Sequence, residues 1–166
     1  LAKNHNFILE VAKELFQRQP DSRLVLVGDG RLRSCVEDQA RYSGISDKIV
    51  FTGTRADVPQ LMRMMDVFLF PSLYEGLPMV VVEAQAAGLP IVLADSVSPE
   101  TQFVAELFAW LPLSLPPAQW AEKCLQMVER KHQLEHLCPR QILEESSFNI
   151  VTNWRDLDRF YTGNTA

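Results

Sequence analysis

Four short, uninterrupted apolar runs constrain this chain more than any other feature. Leu24-Val-Leu-Val27 ends at Gly28, Ile49-Val-Phe51 runs into Thr52 and Gly53, Val67-Phe-Leu-Phe70 stops at Pro71, and Pro90-Ile-Val-Leu93 follows Gly88. Runs without polar alternation fit parallel strands buried on both faces. Helical spacing fills the intervals. Phe7, Ile8, Val11, Ala12, Leu15 and Phe16 recur before Pro20, with Asn4 placed as N-cap. A second helical stretch runs from Arg31 to Ser43 and stops at Gly44. Asp57 can cap a short helix carrying Leu61, Met62 and Met65, and Met79 to Ala87 forms another, closed by Gly88. Strands alternating with helices predict right-handed crossovers and a doubly wound parallel sheet. Beyond an irregular crossing at Leu111-Pro-Leu-Ser-Leu-Pro-Pro117, helical patterns near residues 118–133, 140–145 and 148–161 predict a helical C-terminal tail.

The expected organisation is a single α/β domain over residues 1–166. The chain opens into a helix without the strand that a doubly wound sheet places first, which reads as a domain cut from a longer protein. Composition narrows the function. Lys and Arg total 16 against 21 Asp and Glu, a net charge of −5, which removes the electrostatic case for nucleic-acid binding. No apolar run approaches the roughly 20 residues needed to span a bilayer. Cys35, Cys124 and Cys138 are an odd number at wide spacings, fitting a reducing compartment better than a disulfide framework. His132 and His136 stand one helical turn apart but lack a third ligand, so no metal site is expected.

The densest chemical signal is Pro71-Ser-Leu-Tyr-Glu-Gly-Leu-Pro-Met-Val-Val-Val-Glu83. A strand ends, a loop carries Tyr74, Glu75 and Gly76, and a helix begins after Pro78. The first turn of a helix leaves its N–H groups unpaired, so the amides of Met79 to Val81 would face the loop at the positive end of the macrodipole, which favours an anion. Gly76 lets the backbone approach a ligand. Glu83 is almost the only charge on its helix, and a carboxylate there suits the vicinal hydroxyls of a sugar. The alternative is a strand, turn and helix whose carboxylates cap and solubilise. Val27-Gly28-Asp29-Gly30 is a second strand-to-helix turn, with Asp29 as a possible cap, and Thr52-Gly53-Thr54-Arg55 a third. All three would gather at the carboxyl ends of parallel strands, where open α/β sheets bind ligands. Lys3 alone reads as a solvated terminal lysine.

These segments, in this order, resemble the C-terminal half of retaining GT-B glycosyltransferases of family four. The resemblance rests on Lys3-Asn-His5, Val27-Gly-Asp-Gly30, Val50-Phe-Thr-Gly53, Asp66-Val-Phe-Leu-Phe-Pro-Ser72, Glu75-Gly-Leu-Pro78 and Glu83-Ala-Gln-Ala-Ala-Gly-Leu-Pro90. The seven residues between Glu75 and Glu83 match the family's paired-glutamate motif. Phe148-Asn-Ile150 through Trp154 to Tyr161 is similar to the family's final helix, which crosses back to the N-terminal domain.

The resemblance implies a role for each matching position. Glu83 holds the ribose, and Glu75 orients the donor sugar as the catalytic carboxylate. Amides of Gly76, Leu77, Met79 and Val80 meet the diphosphate or sugar, Lys3 neutralises the diphosphate, Gly28 and Gly30 line the phosphate side, and Thr52 to Arg55 the nucleobase. Tyr74 and Pro78, with Asp29 between the two glycines, complete the binding set. The implied partner is a UDP- or GDP-sugar, bound as substrate, with no other cofactor and no metal. A saccharide or lipid-linked acceptor would be held by an N-terminal domain, in the cytoplasm, with peripheral membrane association left open.

Two departures stand out. The arginine that usually precedes the lysine lies outside this chain, and Ser96-Val-Ser-Pro-Glu100 replaces the family's glycine pair, a variation similar to the bacterial capsular and exopolysaccharide branch. Two other readings stay open: an epimerase- or phosphorylase-type relative on the same scaffold, and a non-catalytic α/β ligand-binding module.

Overall fold

The computed structural model describes residues 2–134, 137–146 and 148–162. Helices and strands alternate from the start: α1 (His5–Arg18), β1 (Leu24–Val27), α2 (Arg33–Tyr42), β2 (Ile49–Gly53), α3 (Val58–Met64), β3 (Phe68–Phe70), α4 (Met79–Ala86) and β4 (Ile91–Ala94). Then follow β5 (Phe108–Leu111), α5 (Pro117–Lys131), α6 (Pro139–Glu144) and α7 (Ile150–Thr162). All strand pairs are parallel, as the apolar runs require.

The strands form two sheets. β1 pairs with β2, Leu24 opposite Ile49, and β4 lies between β3 and β5 with Ile91 opposite both Phe68 and Phe108. Every residue of β4 is buried, as expected of a central strand covered on both faces. Among the described residues no pairing joins the two sheets. α1 bridges them instead, because its apolar residues form two adjacent stripes. Leu9, Ala12 and Phe16 pack with Val36, Ala40 and Ile49 over the first sheet. Phe7, Val11 and Leu15 pack with Val92, Trp120 and Met127 over the second. Phe7 meets the fully buried Trp120 edge to face, ring centroids 5.4 Å apart, a geometry that adds to the area term of burial. The opposite face of the second sheet is covered by α3 and α4 through Met62, Val81 and Ala84.

Three local expectations are corrected. Asn4 precedes α1 in a left-handed conformation (φ 55°) and its side chain caps nothing. Asp57 makes no cap bond either, because Arg55 holds its carboxylate through Nε at 2.8 Å and Nη2 at 2.6 Å. β5 is a strand absent from the sequence reading. Its four residues carry no glycine boundary, and what makes them extended is the free edge of β4. The glycine stops behave as expected: Gly44 and Gly88, both at φ 70°, follow α2 and α4 in the conformation that lacks a Cβ penalty.

Candidate functional site

Each candidate loop leaves the carboxyl end of a strand. β3 delivers its chain, through buried Pro71 and Ser72, to Glu75. The Glu75 side chain is 14% exposed, and its Oε1 receives hydrogen bonds from Lys3 Nζ at 2.6 Å and Ser72 Oγ at 2.5 Å. Lys3 Nζ also lies 4.8 Å from the centroid of the Phe70 ring, close enough for a cation–π attraction. The N-terminal segment is held where it passes this loop, since Leu73 donates its amide to the Ala2 carbonyl at 2.8 Å. Ser96, in the loop after β4, donates to the Ser72 carbonyl at 2.7 Å. Lys3 is thus a seated cation rather than a frayed terminal one.

α4 begins directly after this loop. Val81 donates to the Pro78 carbonyl at 2.9 Å, whereas among the described residues no acceptor is recorded for the amides of Gly76, Leu77, Met79 and Val80. The expectation that the Val81 amide is free is therefore corrected: a tight first turn uses it. A Cβ at Gly76 would have nothing within 4 Å, so packing does not require the glycine and the space beside it is open. Glu83 is exposed on α4, and among the described residues its carboxylate has no hydrogen bond or ion pair. Tyr74, Leu77 and Met79 are 67%, 50% and 52% exposed, while Pro78 is buried.

The other two loops are joined to each other. Gly28, at φ 120°, donates its amide to the Gly53 carbonyl at 2.8 Å. Asp29 does not cap α2, which starts at Arg33; its carboxylate accepts from the Gly30 amide at 2.7 Å and faces Arg33 Nη1 at 3.6 Å. Thr52 Oγ1 donates to the Gly53 carbonyl at 3.0 Å, and Thr54 is exposed beside it. At Gly53 (φ 68°) a Cβ would come within 3.3 Å of Arg33 Nη1. Arg33 also donates from Nε to Glu37 at 2.8 Å, and the hydrogen bond to Glu37 is the main reason its guanidinium holds its proton more tightly than usual.

A cleft of about 570 Å³ is walled by residues 4–6, by Leu32, Cys35, Val36 and Gln39, and by Leu73. No candidate residue lines it, although Leu73 and Asn4 adjoin Tyr74 and Lys3 in sequence. His5, on its wall, is held below its ordinary pKa, first by burial and then by neighbouring positive charge that includes Lys3. Among the described residues no group of three or more His, Cys, Asp or Glu is placed to hold a metal ion; His136 lies outside them.

Sequence reasoning missed Ser72, Arg33 and Gln85. Ser72 had a signal, a hydroxyl three residues before Glu75 at a strand end. Arg33 had another, four residues from both Asp29 and Glu37. Gln85 had none. It is fully buried, donates to the carbonyls of Val81 and Thr101, and accepts from the amides of Phe103 and Val104, fastening the loop after β4 onto α4.

Parallel strands, helices on both faces of the second sheet and glycine-bearing turns at the strand ends define an α/β chain of the doubly wound class. The family model for glycosyl transferases group 1 matches residues 1–138. The chain belongs to that family. EpsF of Bacillus subtilis (strain 168) is 45% identical over 120 residues, covering 72% of this chain and 31% of EpsF. The Vi polysaccharide biosynthesis protein VipC/TviE of Salmonella typhi is 41% identical over 90 residues, 54% of this chain and 16% of that protein. This chain therefore spans less than a third of either relative. Among solved structures, Anabaena Alr3699/HepE in complex with UDP and glucose superposes with a TM-score of 0.78 at 22% identity, covering 97% of this chain and 45% of that one. It shares the fold. Among the described residues no helix is long and apolar enough to cross a membrane.

Proposed function

We propose that this chain is the nucleotide-sugar-binding, C-terminal half of a retaining, metal-independent GT-B glycosyltransferase of family four, acting in bacterial capsular or exopolysaccharide synthesis. One observation carries the reading: the four unpaired amides of Gly76, Leu77, Met79 and Val80 follow directly on Glu75, the residue that holds Lys3. That arrangement suits a diphosphate with a sugar attached. The solved relative that holds UDP and glucose supports the ligand class.

The chemistry follows from charge. When the bond between the sugar's anomeric carbon and the diphosphate oxygen breaks, its electron pair leaves on the diphosphate. Preorganised donors aimed at that developing charge lower the barrier. The amides of Gly76, Leu77, Met79 and Val80 supply some of them. Lys3 supplies the cation, since an ammonium has three donors and Glu75 takes one. Glu75 keeps Oε2 free for a sugar hydroxyl. Glu83, exposed and unpaired, accepts from the ribose diol, with Gly28, Gly30 and the Thr52 to Thr54 turn beside phosphate and base. The acceptor, saccharide or lipid-linked, belongs to an N-terminal domain, at the cytoplasmic side of a membrane or free of it.

Calorimetry with UDP, GDP, UDP-glucose and GDP-mannose tests the reading. Weak binding of one nucleotide series, no transfer by this chain alone, and loss of binding in Glu83→Gln with stability retained are expected. Unchanged binding in that variant favours a non-catalytic module, and robust transfer by this chain alone overturns the assignment to one half of an enzyme.

A further inference from the structure

We infer that Ser72 is a positioning residue, coupling the carboxylate of Glu75 to the segment that carries Lys3. The inference rests on the proposed role of Glu75 at the donor sugar.

Ser72 is fully buried at the end of β3. Its carbonyl is held by Ser96 Oγ at 2.7 Å, and the next residue's amide is held by the Ala2 carbonyl at 2.8 Å. The peptide unit after Ser72 is therefore held at both its polar atoms, and the pairing of Phe70 with Leu93 holds the strand that precedes it. It stands 2.5 Å from Glu75 Oε1, 2.8 Å from the Ala2 carbonyl and 3.4 Å from the Tyr74 carbonyl. All three neighbours are acceptors, and a hydroxyl has one proton to give. The Ala2 carbonyl already receives Leu73 N–H. The carboxylate is ionic and makes the stronger bond, so the proton goes to Glu75.

The consequence lies in which oxygen is used. Ser72 and Lys3 both donate to Oε1, and among the described residues Oε2 has no partner. One oxygen is anchored and the other is left for a ligand. The final torsion of a glutamate is soft, so without the Ser72 bond the carboxylate can rotate to give both oxygens to Lys3. That rotation would withdraw the free acceptor from the sugar, while the third donor of the ammonium stays available to the diphosphate. Sugar recognition suffers, whereas contacts made only by the nucleotide do not.

Calorimetry on the chain compares UDP with UDP-glucose, and GDP with GDP-mannose, in the wild type, Ser72→Ala, Glu75→Gln and the double variant, with thermal unfolding of each. In the series that binds, Ser72→Ala is expected to weaken the nucleotide sugar about tenfold while the bare nucleotide stays within about twofold. Ser72→Cys, which keeps the shape and donates poorly, is expected to behave alike and serves if the alanine variant does not fold. In the Glu75→Gln background the Ser72 substitution is expected to add little, because coupled residues are not additive. Equal weakening of nucleotide and nucleotide sugar, or the same added loss in the Glu75→Gln background, overturns the coupling alone. A wild type that binds none of the four compounds overturns the donor-site reading and this inference with it.

Discussion

Lys3 Nζ lies 2.6 Å from Glu75 Oε1, an ion pair between residues 72 positions apart in sequence. Lys3 is 48% exposed, and pairs open to solvent contribute only about 0–1 kcal/mol to stability. Under the proposed function, the pair places a cation where a diphosphate would sit. Lys3→Ala is expected to leave the thermal midpoint almost unchanged while weakening UDP or GDP binding about tenfold and flattening its salt dependence. Calorimetry at two ionic strengths checks both.

Gln85 behaves oppositely. Its amide is fully buried and bonded to two carbonyls and two amides. Gln85→Ala strands the Thr101 carbonyl and the Phe103 and Val104 amides, an expected loss of about 2–4 kcal/mol in urea unfolding. Glu83→Gln, two residues away on the exposed side of α4, is expected to cost less than about 0.5 kcal/mol.

Acidification weakens the fold through His5. Burial, with added positive charge nearby, lowers its pKa in the folded chain below the ordinary 6.5. The unfolded chain therefore binds a proton that the folded chain refuses. Stability from this source is full above the ordinary value and falls as pH drops from it toward the lowered one. His5→Gln is expected to reduce the slope of unfolding free energy between about pH 7 and about pH 5.

Thiol chemistry separates the cysteines. Cys35 and Cys138 are exposed, whereas Cys124 is buried in α5 and its pKa is pushed up to about 12 by desolvation. A thiol-specific reagent is expected to modify Cys35 and Cys138 rapidly in native protein, with Cys124 reacting only after unfolding. Fast reaction of Cys124 in folded protein would contradict the packing against Trp120 and Met127.

Sequence and tertiary structure divide the molecule along a physical line. The runs at Leu24–Val27 and Ile91–Ala94, the helical spacing of α1 and the stops at Gly44 and Gly88 were legible because each depends on neighbours within a few positions. So was the loop from Ser72 to Pro78, where a strand end, a glycine and a helix start coincide. β5 was not legible, since Phe108–Leu111 becomes a strand only by meeting the free edge of β4. Nor was Gln85, three of whose four partners lie 16 to 19 residues downstream.

The sequence by itself determined the alternation of strand and helix and the residue types at the strand ends, since local periodicity and backbone preference act over one or two turns. Only the tertiary structure decided that α1 holds two sheets together, that Lys3 finds Glu75, and that Ser72 directs it. Those relations depend on burial and hydrogen bonds between distant segments, and such partners exist only once the chain has closed on itself.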